Sequence, residues 1–220
     1  MPSISENLKI IKQTLPEHVT LVAVSKTKPN EDLQEAYDAG QRIFGENKIQ
    51  EMTDKWESLP KDIDWHMIGH VQTNKVKYIA PYIGLIHSVD RLKLFKEINK
   101  EAEKNNRTIR VLLQIKIAEE DSKFGMKPSE AQELLTGDKL KTNYPNIDVV
   151  GLMGMASFVD DEDQLNREFS ELEKIYTQFK EQHNFTTLSM GMSGDYKLAI
   201  SHGSTMIRIG SAIFGERNYN

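Results

Sequence analysis

Lys26 is the residue whose type and position first suggest chemistry. It follows a run of apolar and β-branched residues, from Val19 to Val24, that is typical of a buried strand. A lysine at the end of a buried strand can be partly withdrawn from water, which lowers the pKa of its amine and leaves the amine free to attack a carbonyl. The alternative is an ordinary solvated lysine, and position alone leaves both interpretations open.

A second group of small and hydroxyl-bearing residues lies near the end of the sequence. Met192-Ser193-Gly194-Asp195 follows one predicted strand and begins a helix, and Arg208-Ile209-Gly210-Ser211 follows the last strand. Small residues allow a ligand to approach the backbone, and free N–H groups attract an anion, to which Ser193 could add a hydroxyl donor. This pattern predicts a phosphate site, and the alternative is that the glycines only shape tight turns.

The two groups together suggest a more specific ligand than either does alone. A reactive Lys26 and a phosphate site on the last two strands would suit a phosphorylated aldehyde, of which pyridoxal phosphate is the common one. Arg208 would then lie beside the ring of the cofactor. A different phosphorylated metabolite, with Lys26 as a plain charge partner, is the competing hypothesis.

Several other kinds of site are excluded or disfavoured. The sequence has no cysteine, so disulfides, thiolate metal sites and cysteine nucleophiles are excluded. It has neither a P-loop nor a dinucleotide-binding glycine motif. His66 and His70 are four residues apart, but they fall on a predicted strand and lack the glutamate of a zinc-binding helix. We therefore predict hydrogen-bonding histidines and no metal.

Apolar runs and amphipathic segments alternate along the whole sequence. Eight runs are predicted strands, and each except the last is followed by a predicted helix. They cover residues 19–24, 43–45, 65–69, 85–89, 111–115, 149–153, 187–190 and 206–210. Eight units in this chain average about 27 residues, which suits a compact (β/α)8 TIM barrel, and a doubly wound open sheet is the alternative.

The helix signals support this reading. Ser3 and Glu6 form a capping box before an extra N-terminal helix, and Ser129 is predicted to cap a later one. The acidic residues 160–163 precede the strongest amphipathic stripe, which spans residues 165–179. No linker or repeat divides the chain, so we predict one domain over residues 1–220.

The composition limits the kinds of partner that the protein is expected to bind. The chain has 220 residues, and its 28 basic and 33 acidic residues give a formal net charge of −5. Such a mildly acidic protein is not expected to bind nucleic acid or a membrane surface. No secretory signal and no apolar run near the roughly 18 residues of a membrane span are visible, so we expect a cytoplasmic protein.

Several sequence blocks in a fixed order resemble the YggS/PROSC family of pyridoxal phosphate homeostasis proteins, over nearly the whole chain. The blocks are Ala23-Val24-Ser25-Lys26, Phe44-Gly45-Glu46-Asn47, Trp65-His66-Met67-Ile68-Gly69-His70, His87-Ser88-Val89-Asp90, Gly151-Leu152-Met153, Ser189-Met190-Gly191-Met192-Ser193 and the segment from Gly203-Ser204-Thr205 to Gly215-Glu216-Arg217.

The resemblance implies a fold-type III barrel similar to the N-terminal domain of alanine racemase. Lys26 would carry pyridoxal 5'-phosphate as a Schiff base, and Arg208 would face the pyridine nitrogen. Asn47 would lie near the ring or its oxygen. The phosphate would be held by Ser193, Gly194, Gly210 and Ser211.

The same resemblance implies a cofactor carrier that passes pyridoxal phosphate to apo-enzymes, and we expect a monomer. A cationic Arg208 disfavours protonation of the ring nitrogen, which makes the ring a poorer electron sink. An amino-acid racemase is the alternative function. In racemases the second base is a tyrosine from a separate β-domain, and the barrel is expected to use the whole of this chain, so we assign no catalytic residue.

Overall fold

Eight parallel strands form a closed barrel in which each strand pairs with its sequence neighbour and the last pairs with the first. The computed structural model describes residues 2–120, 124–137 and 139–215. The closed order confirms the predicted (β/α)8 barrel and excludes the doubly wound alternative, because an open sheet would leave two unpaired edges.

The predicted strands are all present, and each bound lies within two residues of the prediction. The strands are β1 (Thr20–Val24), β2 (Ile43–Glu46), β3 (Asp64–Met67), β4 (Leu85–Val89), β5 (Ile109–Gln114), β6 (Ile147–Met153), β7 (Thr187–Ser189) and β8 (Met206–Ile209). The helices are α1 (Ile4–Thr14), α2 (Asn30–Asp38), α3 (Ile49–Ser58), α4 (Val76–Ile79), α5 (Leu92–Lys104), α6 (Pro128–Leu135), α7 (Lys139–Asn143), α8 (Glu162–His183), α9 (Tyr196–Ser201) and α10 (Ser211–Phe214).

Two helix starts follow the sequence signals and one does not. Ser3 and Glu6 form the predicted capping box at α1, and Asp161 accepts a hydrogen bond from the Gln164 N–H at the start of α8. The prediction that Ser129 caps α6 is wrong. Pro128 begins that helix, because its fixed φ suits the first helical position and it has no N–H to satisfy.

The expectation that no helix follows the last strand is also wrong. α10 begins directly after β8 at Ser211 and buries Ile213 and Phe214. Its single turn is too short to show a helical period in the sequence, which is why periodicity missed it. Every strand of the barrel is thus followed by a helix.

The core has two layers. The barrel interior holds an apolar cluster of Val22, Leu85, Leu112, Met153 and Met206. A larger cluster between the strands and the surrounding helices contains the large buried side chains Phe44, Trp65, Phe95 and Phe169. Because both faces of each strand are buried, the strands read as nearly continuous apolar runs.

Within the part of the chain that the structure describes, no helix combines the length and the apolar character that crossing a membrane requires. Glu216 and Arg217, the last two residues of the final sequence block, lie outside the described residues.

Candidate functional site

A cavity of about 520 Å³ opens at the carboxyl ends of the strands, where parallel barrels carry their functional groups. All seven residues that the sequence singled out line this cavity. They are Lys26, Asn47, Ser193, Gly194, Arg208, Gly210 and Ser211.

Lys26 follows β1, and each of its two neighbours is fixed by a hydrogen bond to a glutamate. The Ser25 hydroxyl donates to Glu46 Oε1 at 2.6 Å, and the Thr27 N–H donates to Glu51 Oε1 at 2.6 Å. Lys55 Nζ donates to the Ser25 carbonyl at 2.8 Å. The backbone on both sides of Lys26 is therefore held to β2 and α3.

The centre of this arrangement is a buried ion pair. Lys55 Nζ lies 2.8 Å from Glu46 Oε1 and 2.8 Å from Glu51 Oε1, and the Glu46 side chain is fully buried. Burial raises the pKa of Glu46 above its usual value, although Lys55 and the Ser25 hydroxyl act in the opposite direction. Sequence reasoning missed this pair, because Glu46 was noted only as part of the Phe44-Gly45-Glu46-Asn47 block and Lys55 belongs to no motif.

The loop after β7 presents backbone donors to the cavity. The Met192 N–H donates to Asp195 Oδ1 at 2.5 Å, which closes the loop before α9 begins. Among the described residues, the N–H groups of Ser193, Gly194 and Gly210 have no hydrogen-bond partner. Donors without partners next to a cavity can bind an anion.

The end of β8 lies against the end of β1. A Cβ on Gly210 would come within 3.1 Å of the Val24 carbonyl oxygen, so a larger residue there would push the two strand ends apart. This close approach brings Gly210 and Ser211 beside Lys26 on the cavity wall.

Arg208 is the buried cation of the site. Its Nη1 donates to Ser189 Oγ at 2.6 Å and its Nη2 donates to the Gly154 carbonyl at 3.0 Å. Burial lowers the pKa of Arg208 to about 10, so the side chain remains charged at neutral pH.

Asn47 lies where β2 and β3 end next to each other. A Cβ at position 69 would come within 2.4 Å of the Asn47 carbonyl oxygen, which explains the glycine there. The Ser88 hydroxyl donates to the Gly69 carbonyl at 2.5 Å and fixes this approach from β4.

Sequence reasoning missed a further part of the cavity wall. The additional side chains include Lys28, His70, Gln114, Phe124, Met155 and Phe158. Gln114 is the last residue of β5, and His70 and Met155 follow shortly after β3 and β6, so position at a strand end was the available signal for these three. His70 stacks on Phe124 with ring centroids 4.7 Å apart, and its Nδ1 is 3.5 Å from Asp90 Oδ2.

The histidines that were weighed as metal ligands lie in different surroundings. His66 is buried inside the barrel, whereas His70 is at the cavity wall. Among the residues that the structure describes, no group of three or more histidine, aspartate or glutamate side chains could hold a metal ion.

Comparison with known families gives a match over almost the whole chain. The sequence profile of the family described as alanine racemase, N-terminal domain, matches residues 1–218. The pyridoxal phosphate homeostasis protein of Aquifex aeolicus is 39% identical, with 90% of this chain and 87% of the relative covered. The protein of the same name from Vibrio alginolyticus is 38% identical, with both chains fully covered.

Solved structures agree with this match. PipY of Synechococcus elongatus PCC7942, solved with pyridoxal phosphate bound, superposes with a TM-score of 0.85 at 32% identity, covering 97% of this chain and all of PipY. The alanine racemase of Clostridium difficile 630 superposes with a TM-score of 0.83 at 14% identity, covering 99% of this chain and 58% of the racemase. The racemase likeness shows the fold alone.

Proposed function

The chain belongs to the alanine racemase N-terminal domain family, among its pyridoxal phosphate homeostasis proteins, and we propose that it binds pyridoxal phosphate and holds it in reserve without turnover. The observation that carries the proposal is the position of Lys26. Its side chain lines one cavity together with the unpartnered backbone donors after β7 and β8 and the buried cation Arg208.

The residues of the cavity fit the two ends of this cofactor. Pyridoxal phosphate supplies an aldehyde that can condense with a primary amine and a phosphate that carries negative charge. Lys26 supplies the amine. Ser193, Gly194 and Gly210 supply N–H groups for the phosphate, and a Cβ at Gly194 would meet nothing within 4 Å, so the space beside this backbone is open.

The positive charge of Arg208 favours storage of the cofactor over catalysis with it. Its charge disfavours a proton on any ring nitrogen next to it, and an unprotonated ring stabilises a carbanion poorly. Two of its nitrogens are already committed to Ser189 and Gly154, so the guanidinium cannot turn away from the cavity without losing these bonds. We therefore assign Arg208 to binding and orientation.

The decisive experiment compares wild type with Lys26→Ala and Lys28→Ala. We expect the wild type and Lys28→Ala to gain a visible absorbance band with pyridoxal phosphate and, after borohydride reduction, to yield a stable adduct on Lys26 by mass spectrometry. Lys26→Ala should yield no adduct at this position. A wild type without a band or an adduct contradicts the proposal and favours a different phosphorylated ligand, with Lys26 as a charge partner.

We further propose that bound cofactor is delivered to apo-enzymes. Phe124 and Phe158 stand at the cavity wall with 57% and 74% of their surface exposed, which supports a site that the cofactor can enter and leave. Loaded protein should restore activity to an apo-enzyme in the presence of a phosphatase that destroys free cofactor. If activity returns only when the phosphatase is omitted, delivery by contact is wrong.

A racemase is the second candidate, and His70 is the observation in its favour. Its imidazole lines the cavity and lies near Asp90, an arrangement that could serve as a base opposite Lys26. Incubation of loaded protein with single-enantiomer amino acids in deuterated water tests it. We expect no α-proton exchange above the free cofactor, and exchange that disappears in His70→Asn would establish the racemase instead.

A further inference from the structure

A column of five polar side chains runs through the barrel interior from the cavity to the opposite end. Arg208 Nη1 lies 2.6 Å from Ser189 Oγ, and Ser189 Oγ lies 3.1 Å from His87 Nδ1. His87 Nε2 lies 3.1 Å from His66 Nδ1, and His66 Nε2 lies 3.4 Å from Asp64 Oδ2. Four different strands contribute to this column, and only Asp64, at the start of β3, has a substantially exposed side chain.

Arg208 and Asp64, at the two ends of the column, determine the direction of every hydrogen bond in it. A guanidinium can only donate and a carboxylate can only accept. Arg208 therefore donates to Ser189, so the serine hydroxyl is free to donate to His87 Nδ1. Asp64 accepts from His66 Nε2–H, which leaves His66 Nδ1 to accept from His87 Nε2–H. With both imidazoles neutral and protonated at Nε2, every donor has an acceptor.

Charge and burial agree with this pattern. Burial lowers the pKa of His66, and burial together with the nearby Arg208 charge lowers the pKa of His87 well below its usual value. Burial opposes ionisation of Asp64, but hydrogen bonds from His66 and Arg110 and the charge of Arg110 act in the opposite direction, and the pKa of Asp64 is lowered. The column thus has a cation at one end, a carboxylate at the other and neutral groups between them.

The need to fill the barrel interior does not explain why these side chains are polar. The neighbouring interior positions hold Val22, Leu85 and Leu112, and apolar residues would fill the barrel without the desolvation cost of two imidazoles and a hydroxyl. The column ends on Arg208, whose other fixed contact is the Gly154 carbonyl. Together these two contacts fix the plane of the guanidinium.

We infer that Ser189, His87, His66 and Asp64 are positioning residues that hold Arg208 in one orientation toward the cofactor. This inference rests on the proposed function, since Arg208 acts on pyridoxal phosphate only if the cavity binds it. The column itself is a property of the protein without ligand, so it can be tested separately.

The first test measures the tautomers directly. Ring-nitrogen NMR of the uniformly ¹⁵N-labelled, ligand-free protein at neutral pH should show His66 and His87 neutral and protonated at Nε2. Asp64→Asn, whose amide oxygen still accepts, should preserve both tautomers, whereas Asp64→Ala should let His66 exchange between tautomers. Imidazolium or Nδ1–H signals from either residue in the wild type would overturn the column.

The second test links the column to the ligand. Ser189→Ala removes the hydroxyl between Arg208 and His87, and Ser204→Ala is the matched control, because Ser204 is equally buried but bonds to the backbone outside the column. We expect Ser189→Ala to weaken pyridoxal phosphate binding about tenfold and to shift the visible absorbance maximum, while Ser204→Ala shifts no maximum. If the spectra and affinities of both variants match wild type, the inference is wrong.

An isosteric pair covers the case in which Ser189→Ala does not fold. Ser189→Thr keeps the hydroxyl and Ser189→Val replaces it with a methyl group of similar size. The inference requires the threonine variant to bind more tightly than the valine variant and to keep the wild-type absorbance maximum. A wild type that takes up no pyridoxal phosphate would instead refute the proposed function. The NMR experiment would still test the column, because it uses the ligand-free protein.

Discussion

At the scale of single residues, the backbone on both sides of Lys26 is held by charged side chains. Glu46 is fully buried and accepts from both the Ser25 hydroxyl and Lys55. Lys55 also donates to the backbone carbonyl just before Lys26. A buried pair of this kind costs desolvation energy, so its value lies in the geometry that it fixes rather than in net stability.

Removing one member of this pair should therefore be costly. We expect Lys55→Met to lower the free energy of unfolding by about 3–5 kcal/mol, because it leaves the Glu46 carboxylate buried without its charge partner. The double variant Lys55→Met/Glu46→Gln should recover most of this loss. Urea unfolding measures both effects.

An exposed lysine is the control for the Lys55 prediction. Lys100 pairs with Glu97 at 3.2 Å while 56% of its side chain is exposed. Lys100→Met should change the free energy of unfolding by no more than about 0.5 kcal/mol. A similar loss in Lys55→Met and Lys100→Met would contradict the buried-pair argument.

At the scale of elements, Glu168 on α8 joins two loops beside the cavity. Its carboxylate accepts from the Glu119 N–H at 2.9 Å, in the loop after β5. It also accepts from the Ser157 N–H and the Ser157 hydroxyl, each at 2.7 Å, in the loop after β6. Phe158 follows directly on the cavity wall, so this one carboxylate helps to shape the mouth of the site.

The pH dependence of stability should report this carboxylate. Burial alone would raise the pKa of Glu168, but hydrogen bonds from Gln164, Glu119 and Ser157 outweigh it and lower that pKa below the usual 4.5. The stabilisation is then fully present above the pKa that Glu168 has in the unfolded chain. It is lost as the pH falls through the lower pKa that Glu168 has in the folded protein.

Glu168→Gln tests this linkage. Compared with wild type, the variant should lose about 1–3 kcal/mol of stability at neutral pH, and the difference should shrink below the ordinary glutamate pKa. Urea unfolding at several pH values measures it. A difference that stays constant down to acidic pH would show that Glu168 does not act as a carboxylate.

At the scale of the molecule, the barrel closes between strands from opposite ends of the chain. β1 pairs with β8 over four residues, from Thr20 with Met206 to Ala23 with Ile209. α1 packs on α10 across this closure, and Asn7 Nδ2 donates to the Ile213 carbonyl at 3.0 Å. The site straddles the same seam, because Lys26 follows β1 while Gly210 follows β8.

Disturbing α1 should therefore affect the whole barrel. Leu8 is 1% exposed and Ile10, on the same helix, is 56% exposed. We expect Leu8→Ala to cost about 2–5 kcal/mol and Ile10→Ala no more than about 0.5 kcal/mol. Circular dichroism and tryptophan fluorescence should still report one common transition in Leu8→Ala. Separate transitions would mean that α1 frays independently of the barrel.

The sequence by itself determined the order of the strands and identified seven residues of the site. The alternation of apolar runs and amphipathic segments predicted all eight strands, since strands buried on both faces must be apolar. The seven predicted site residues line one cavity because the carboxyl ends of parallel strands meet at one end of a barrel. α10, with a single turn, left no periodic signal.

Only the tertiary structure decided which polar residues meet inside the barrel. Ser189 and His87 are 102 positions apart, and His87 and His66 are 21 positions apart. No local pattern links residues at such separations, because their contact arises from barrel closure and strand register rather than from helix or strand periodicity. The sequence could thus point to the lysine, the arginine and the phosphate loops, whereas the surroundings that orient them existed only once the barrel had closed.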